Sequence, residues 1–179
     1  MRRDRSRVER VRLLTASLLL LVLTLAGSAQ GTIIERTDRH VRHTQSCERM
    51  ADRDRAPTPT RRLYAHSPSK PFRNWALNLW RWRARKACGK VRYLNSDPRL
   101  AVRYVFQRVA QAAKALSVVR CESNFWPWAR NGQYENIFQM GLSERRRFGW
   151  HVAGSPALVA SWAAFGYWRV SGWKPWSCA

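Results

Sequence analysis

Acidic side chains are scarce in this 179-residue chain: 11 Asp and Glu stand against 33 Lys and Arg, a formal charge of +22. Between Arg61 and the C-terminus the acids are only Asp97, Glu122, Glu135 and Glu144. A surplus of that size draws the chain toward polyanions, whether nucleic acid, anionic lipid or acidic wall polymers, without choosing among them. Internal repeats are lacking, which excludes a solenoid, and the length suits one compact domain plus a non-globular part. CxxC pairs are lacking as well. Without a second close cysteine, His40, His43 and Cys47 read as solvated residues and not as a metal site, so neither a metal nor a cofactor is expected.

What is present begins with a cationic start, MRRDRSRVERVR, followed by an apolar run from Leu13 to Gly27. The run is short for the ~20 residues of a membrane span. With Gly27 and Ala29 as the −3 and −1 residues before Gln30, it reads as a signal peptide over 1–29. Export sets aside a specific nucleic-acid partner inside the cell, leaves no stable transmembrane span after cleavage, and predicts a secreted, wall-associated monomer.

Residues 30–70 mix both charges with Pro, Thr and Ser and show no sustained apolar period, so a weakly ordered basic linker is expected there. Over 71–96 the segment RNWALNLWRWRARKACGK makes a basic aromatic peripheral element, suited either to a membrane surface or to packing on the domain. A helix is predicted to start at Asp97-Pro98, with Asp97 as cap and Pro98 in the first turn. Its stripe of Leu100, Val102, Val105, Phe106, Val109, Ala113, Leu116 and Val119 belongs to one helix, or to two broken near Gln107, and delivers Glu122 to a helix end. Asn131-Gly132 marks a turn, and Gln133 to Met140 is short enough for a loop or small hairpin. Ser155-Pro156 opens a last helix with Leu158, Val159, Trp162, Phe165 and Trp168 inward, and Gly172 ends it. The fold class is therefore mainly α, with a short β or loop segment after the helix that carries the acid.

Four cysteines in an exported chain point to disulfides, and four allow three pairings. Cys121 adjoins Glu122 and Cys178 lies in the tail, so their pairing would staple the tail across the acid. That choice leaves Cys47 to Cys88.

Glycosidic cleavage needs a carboxylic acid kept protonated near neutral pH, which burial against apolar rings favours. Glu122 precedes Phe125, Trp126 and Trp128 and is the candidate. The segment RCESNFWPWARNGQYENIFQMGLSERRRFG, with AAFGYW and WKPWSC after it, resembles the secreted, actinobacterial-style branch of the soluble lytic transglycosylase domain, related in fold to goose-type lysozyme. The likeness spans roughly Leu100 to Cys178 and assigns 97–179 to an α+β, lysozyme-like transglycosylase domain. Its counterparts here are the Glu122-Ser123 pair, the Trp126-Pro127 step and the Ile137-Phe138-Gln139-Met140-Gly141 box.

The resemblance implies cleavage of the N-acetylmuramic acid to N-acetylglucosamine bond of peptidoglycan strands. Glu122 would be the single acid/base and the product a 1,6-anhydro sugar, a substrate-assisted departure from the two-carboxylate scheme. Ser123, Tyr134, Phe138, Gln139, Met140 and Tyr167 are the expected substrate-binding residues, Tyr167 being favoured over Phe165 for its hydroxyl. Glu135 is the candidate second carboxylate for a hydrolytic variant. Trp126, Trp128, Trp150, Trp173 and Trp176 offer stacking faces, although packing is the commoner use of each. Arg145, Arg146 and Arg147 read as a solvated face attractive to anionic wall polymers. Where the family has Gly-Leu, this chain has Asn136-Ile137. A glycine there either allows close backbone approach or adopts a left-handed conformation, and asparagine can supply only the second. Two other classes fit the composition: a non-catalytic wall-binding protein of the same fold, and a cationic protein acting on membranes or nucleic acid.

Overall fold

The computed structural model describes residues 33–59, 67–149 and 156–178. Helices dominate, and one two-stranded sheet accompanies them. The described residues divide into two compact units, one of 33–42 with 59 and 67–83 and the other of His43–Thr58 with 84–149 and 156–178. The expected signal segment lies outside the described residues, and no helix among the described residues is long and apolar enough to cross a membrane.

In the first unit, α2 (Lys70–Ser96) begins at a serine cap, where the amide of Phe72 donates to Ser69 Oγ at 3.4 Å. Arg73 is buried and donates to the carbonyls of Ser67 and Pro68, closing the entry turn. Ala76, Leu77 and Trp80 form the buried stripe of this part of α2, whereas Trp75 and Trp82 are exposed. The Arg83 guanidinium lies 4.8 Å from the Trp80 ring centroid.

The expectation of a weakly ordered linker over 30–70 is corrected by α1, a helix spanning 33–51. Thr37, Thr44, Cys47 and Ala51 are its buried positions, at spacings of seven, three and four residues. That is a helical stripe, but its first two members are threonines, so hydrophobicity does not reveal it. Thr37 satisfies its hydroxyl by donating to the carbonyl of Ile33 at 2.8 Å. Within the second unit, Glu48 accepts from both the amide and the hydroxyl of Thr58, folding the following segment back. Cys47 and Cys88 form a disulfide across 41 residues, which in a chain-entropy account contributes about 4 kcal/mol.

The second unit is built around α3 (Pro98–Phe106), which packs on α4 (Ala112–Ser123) and α6 (Ala157–Ser171). Asp97 caps α3 as the sequence predicts, accepting from the amide of Arg99 at 2.9 Å. The long stripe is broken where expected. A 3-10 turn over Gln107–Val109 ends at Ala110 with φ 57°, a left-handed residue that redirects the chain into α4. Ala113, expected inward, is exposed.

A tight hairpin pairs β1 (Arg130–Asn131) with β2 (Tyr134–Glu135) around Gly132, whose φ of 59° suits glycine. A short α5 (Leu142–Arg147) follows. Helix α6 carries Leu158, Trp162 and Phe165 in the core, with Val159 and Trp168 half-buried, and ends at Gly172. Ser155, the expected cap, lies outside the described residues; Asn95 Oδ1 instead accepts from the amide of Leu158 at 2.9 Å. Phe106 sits at the centre of the aromatic packing, with Phe138, Phe165, Trp168 and Trp173 around it.

Candidate active site

Helix α4 ends at Glu122-Ser123, and the chain then turns sharply. Asn124 and Phe125 have φ values of 48° and 62°. Two successive left-handed residues without glycine, one of them a bulky aromatic, cost on the order of 1–3 kcal/mol each. Strain of this kind persists where the surroundings enforce it, and here it separates residues adjacent in sequence. Phe125 turns away and packs under the guanidinium of Arg99, 4.1 Å from its ring centroid. Trp126 stays with Glu122.

Glu122, Ser123, Trp126, Tyr134, Gln139 and Trp176 are among the residues that line a cleft of about 670 Å³. Among the described residues, Glu122 is the only carboxylate on its wall. It is half-buried, and Ser177 donates to its Oε1 over a long 3.5 Å. Among the described residues it makes no ion pair, Arg120 and Arg130 included, although Arg130 lines the same cleft. Catalytic hydrogen bonds are often long before substrate binds.

The tail reaches the cleft through the Cys121–Cys178 disulfide, one of the three pairings the sequence allows. That bond brings Pro175, Trp176 and Ser177 opposite the end of α4. Trp176 is fixed from behind, its indole N–H donating to the carbonyl of Phe138 at 2.8 Å. Trp173 is similarly anchored, donating to Gln111 Oε1 at 2.9 Å.

Loop geometry behind the cleft depends on Asn136. This residue is buried with φ 71°, and its Oδ1 accepts from the amide of Phe138 at 2.8 Å. Its own amide donates to the carbonyl of Ala129, while its carbonyl accepts from both the amide and the side chain of Gln139. Thus Asn136 adopts the left-handed conformation that glycine would otherwise supply, stabilised by its own side chain. Glu135 and Met140 close the loop with a reciprocal pair of backbone bonds at 3.2 and 3.1 Å. At Gly141 a Cβ would stand 2.5 Å from Glu144 Oε2, so the Glu144 carboxylate would have to swing aside to admit one.

The expected binding residues separate into two groups. Ser123, Tyr134 and Gln139 line the cleft, and Tyr134 is exposed. The Ser123 hydroxyl points to the carbonyls of Val119 and Ile137, tying α4 to the loop. Phe138 and Met140 are corrected to core positions, fully or almost fully buried. Tyr167 is corrected too: it stacks on Phe148 with centroids 5.2 Å apart and makes no hydrogen bond to Glu122. Burial pushes its phenol up, Glu144 and Tyr134 acting in the same direction and Arg147 against them.

Glu135 is not available as a second carboxylate. It is buried, with Oε1 paired to Arg130 at 3.2 Å and Oε2 in a close ion pair with Arg145. Arg145 is itself buried, so the expectation of a solvated face holds for Arg146 and Arg147 alone. Of the tryptophans, Trp126 and Trp128 are exposed and Trp126 lines the cleft, Trp176 lines it while packing with Trp173 on the aromatic core, and Trp150 lies outside the described residues. Ser177 is the contact to Glu122 that residue type alone does not reveal; its place beside Cys178 is the signal. His43, Cys47 and Cys88 bring potential ligand atoms within 4.8 Å of one another, but the disulfide occupies both sulfurs.

Compared with known proteins, the chain matches no family model, no curated protein and no solved structure.

Proposed function

We propose that the protein is an exported peptidoglycan-cleaving enzyme acting on the β-1,4 bond between N-acetylmuramic acid and N-acetylglucosamine, with Glu122 as acid/base. The observation that carries this reading is the cleft with a single carboxylate. Among the described residues Glu122 is the one carboxylate on its wall, while Glu135, the nearest alternative in sequence, is tied to Arg130 and Arg145. A two-carboxylate hydrolysis needs a second acid to act as nucleophile or to activate water. One acid suits a substrate-assisted course.

In that course the Glu122 carboxylic acid gives its proton to the bridging oxygen as the glycosidic bond breaks. The acetamido oxygen of the muramic residue bonds to C1 in place of the leaving group. The Glu122 carboxylate then removes the proton of the sugar's own 6-hydroxyl as that oxygen attacks C1 and expels the acetamido group. The acid is restored, and a 1,6-anhydro sugar leaves without water being consumed.

Exposed Tyr134 and Trp126 suit sugar faces, and the Gln139 amide suits an acetamido or hydroxyl group. Two disulfides are compatible with an oxidising, extracellular compartment. In this chain Asn136 is left-handed, which fits the second of the two roles a glycine could have there.

The test is release of soluble fragments from purified peptidoglycan by the wild-type protein and by Glu122→Gln. The acid's removal is expected to lower the rate by about 10²–10⁴-fold, the usual contribution of a positioned acid/base. Equal release by the two folded proteins would contradict the proposal and leave a wall-binding role for the same fold.

A further inference from the structure

A second pocket, of about 320 Å³, lies in the same unit and gathers positive charge. Arg99 and Arg103 of α3 line it together with Ser117 and Arg120 of α4, over Phe125. Arg99 and Arg103 are four residues apart on one helical face, and like charges so placed repel. Across the pocket Arg120 adds a third guanidinium. No carboxylate lines the pocket, and among the described residues neither Arg103 nor Arg120 makes an ion pair. Asp97 offsets Arg99 alone, at 3.5 Å and with both side chains half exposed. An exposed pair of that kind contributes little.

The arrangement is also held in place. Arg99 lies against the Phe125 ring, 4.1 Å from its centroid, and among the described residues its one side-chain bond is the long 3.5 Å contact to Asp97. The ring reaches that position only because Phe125 takes a left-handed conformation with φ 62°. A bulky residue in that region is a cost, and seating the ring beneath Arg99 is the use the fold makes of it.

We propose that this pocket binds a phosphate group. Three guanidiniums carried by two helices match an anion with several strongly accepting oxygens. A lone carboxylate is already saturated by one or two such forks. The pocket is open and its arginines are exposed, so the phosphate can be a free ion or a unit of a phosphodiester chain. Long-range attraction by the +22 chain concentrates either one nearby. The reading uses no feature of the Glu122 cleft, so failure of either leaves the other standing.

The experiment measures binding of poly(glycerol phosphate), inorganic phosphate and polyglutamate at physiological salt, which suppresses contacts due to net charge alone. Wild type is compared with Arg103→Gln/Arg120→Gln and with Arg92→Gln/Arg169→Gln, a double change at exposed positions outside the pocket that removes the same charge. The pocket double variant is expected to bind the phosphate probes at least about tenfold more weakly, and the control to stay within about twofold of wild type. Displacement of the polymer by inorganic phosphate at equal phosphate concentration would identify the free ion as ligand; failure to displace it would identify the diester chain. Equal losses in the two double variants would overturn the proposal, as would polyglutamate binding as tightly as poly(glycerol phosphate). Arg103→Lys/Arg120→Lys keeps the charge and guards against misfolding. Its binding should fall between wild type and the Gln pair, and wild-type affinity in it would remove the case for guanidinium forks.

Discussion

Glu135 and Arg145 form a buried ion pair, each side chain less than a tenth exposed, between the small hairpin and α5. Arg145 also donates to the carbonyl of Gly141 at 3.4 Å, so the pair holds both ends of the loop that backs the cleft. Removing one partner leaves a desolvated charge behind. Glu135→Gln is expected to destabilise the fold by about 3–5 kcal/mol, whereas replacing both residues by apolar ones of similar volume should cost far less. Urea denaturation of the single and double variants checks the difference, and equal losses would show that the pair is not buried in solution.

Asn136 gives a finer test of the same loop. Asn136→Gly keeps the left-handed backbone and is expected to fold and to retain cleavage of peptidoglycan. Asn136→Ala meets the left-handed penalty of about 1–2 kcal/mol and also loses the bond to the Phe138 amide, worth about 1 kcal/mol. Melting temperatures should rank wild type and the glycine variant above the alanine variant.

The tail wall depends on one covalent bond. Opening Cys121–Cys178 releases a closure across 57 residues, worth about 4 kcal/mol in the chain-entropy account. It also frees Trp176 and Ser177 from their places at the cleft. Cys121→Ser/Cys178→Ser should therefore lose more activity than its stability loss explains when assayed well below its melting temperature. Activity that tracks only the folded fraction would contradict a role for the tail in the cleft.

Acid titration isolates Asp52. The hydrogen bond from Arg108 holds its carboxyl below the ordinary value of 3.8, through bidentate contacts at 3.0 and 2.8 Å, against the opposing effect of burial. A carboxyl depressed in the folded state contributes stability that is present above its unfolded pKa and lost as pH falls through the folded one. Melting temperature should thus decline below about pH 4 in wild type more steeply than in Asp52→Asn. Parallel declines would show that Asp52 does not couple to folding.

Sequence alone reveals the start of α3, because Asp97-Pro98 is a local signal, but leaves one helix or two open beyond it, since the apolar stripe runs on through the 3-10 turn at Gln107–Val109. The hairpin and the helix carrying Glu122 are visible for the same reason. Helix α1 is hidden, since threonines occupy half of its buried stripe and its tie to α2 is a disulfide across 41 residues. At the cleft, Ser123, Tyr134 and Gln139 are legible, but Phe138 and Met140 are misplaced. Alternation along the loop is disrupted by left-handed Asn136 and Gln139, and periodicity cannot follow a chain through two such reversals. Arg145 and Glu135 lie ten residues apart with an almost uncharged stretch between them, so their pairing emerges only in three dimensions.

The central claim concerns Glu122 as the single acid/base, and the most direct measurement is mass spectrometry of the muropeptides released from purified peptidoglycan. Wild-type protein is expected to yield fragments ending in 1,6-anhydro-N-acetylmuramic acid, and Glu122→Gln to yield none above background. Fragments with reducing ends would contradict the water-free, substrate-assisted course, and anhydro products from both proteins would remove Glu122 from the chemistry.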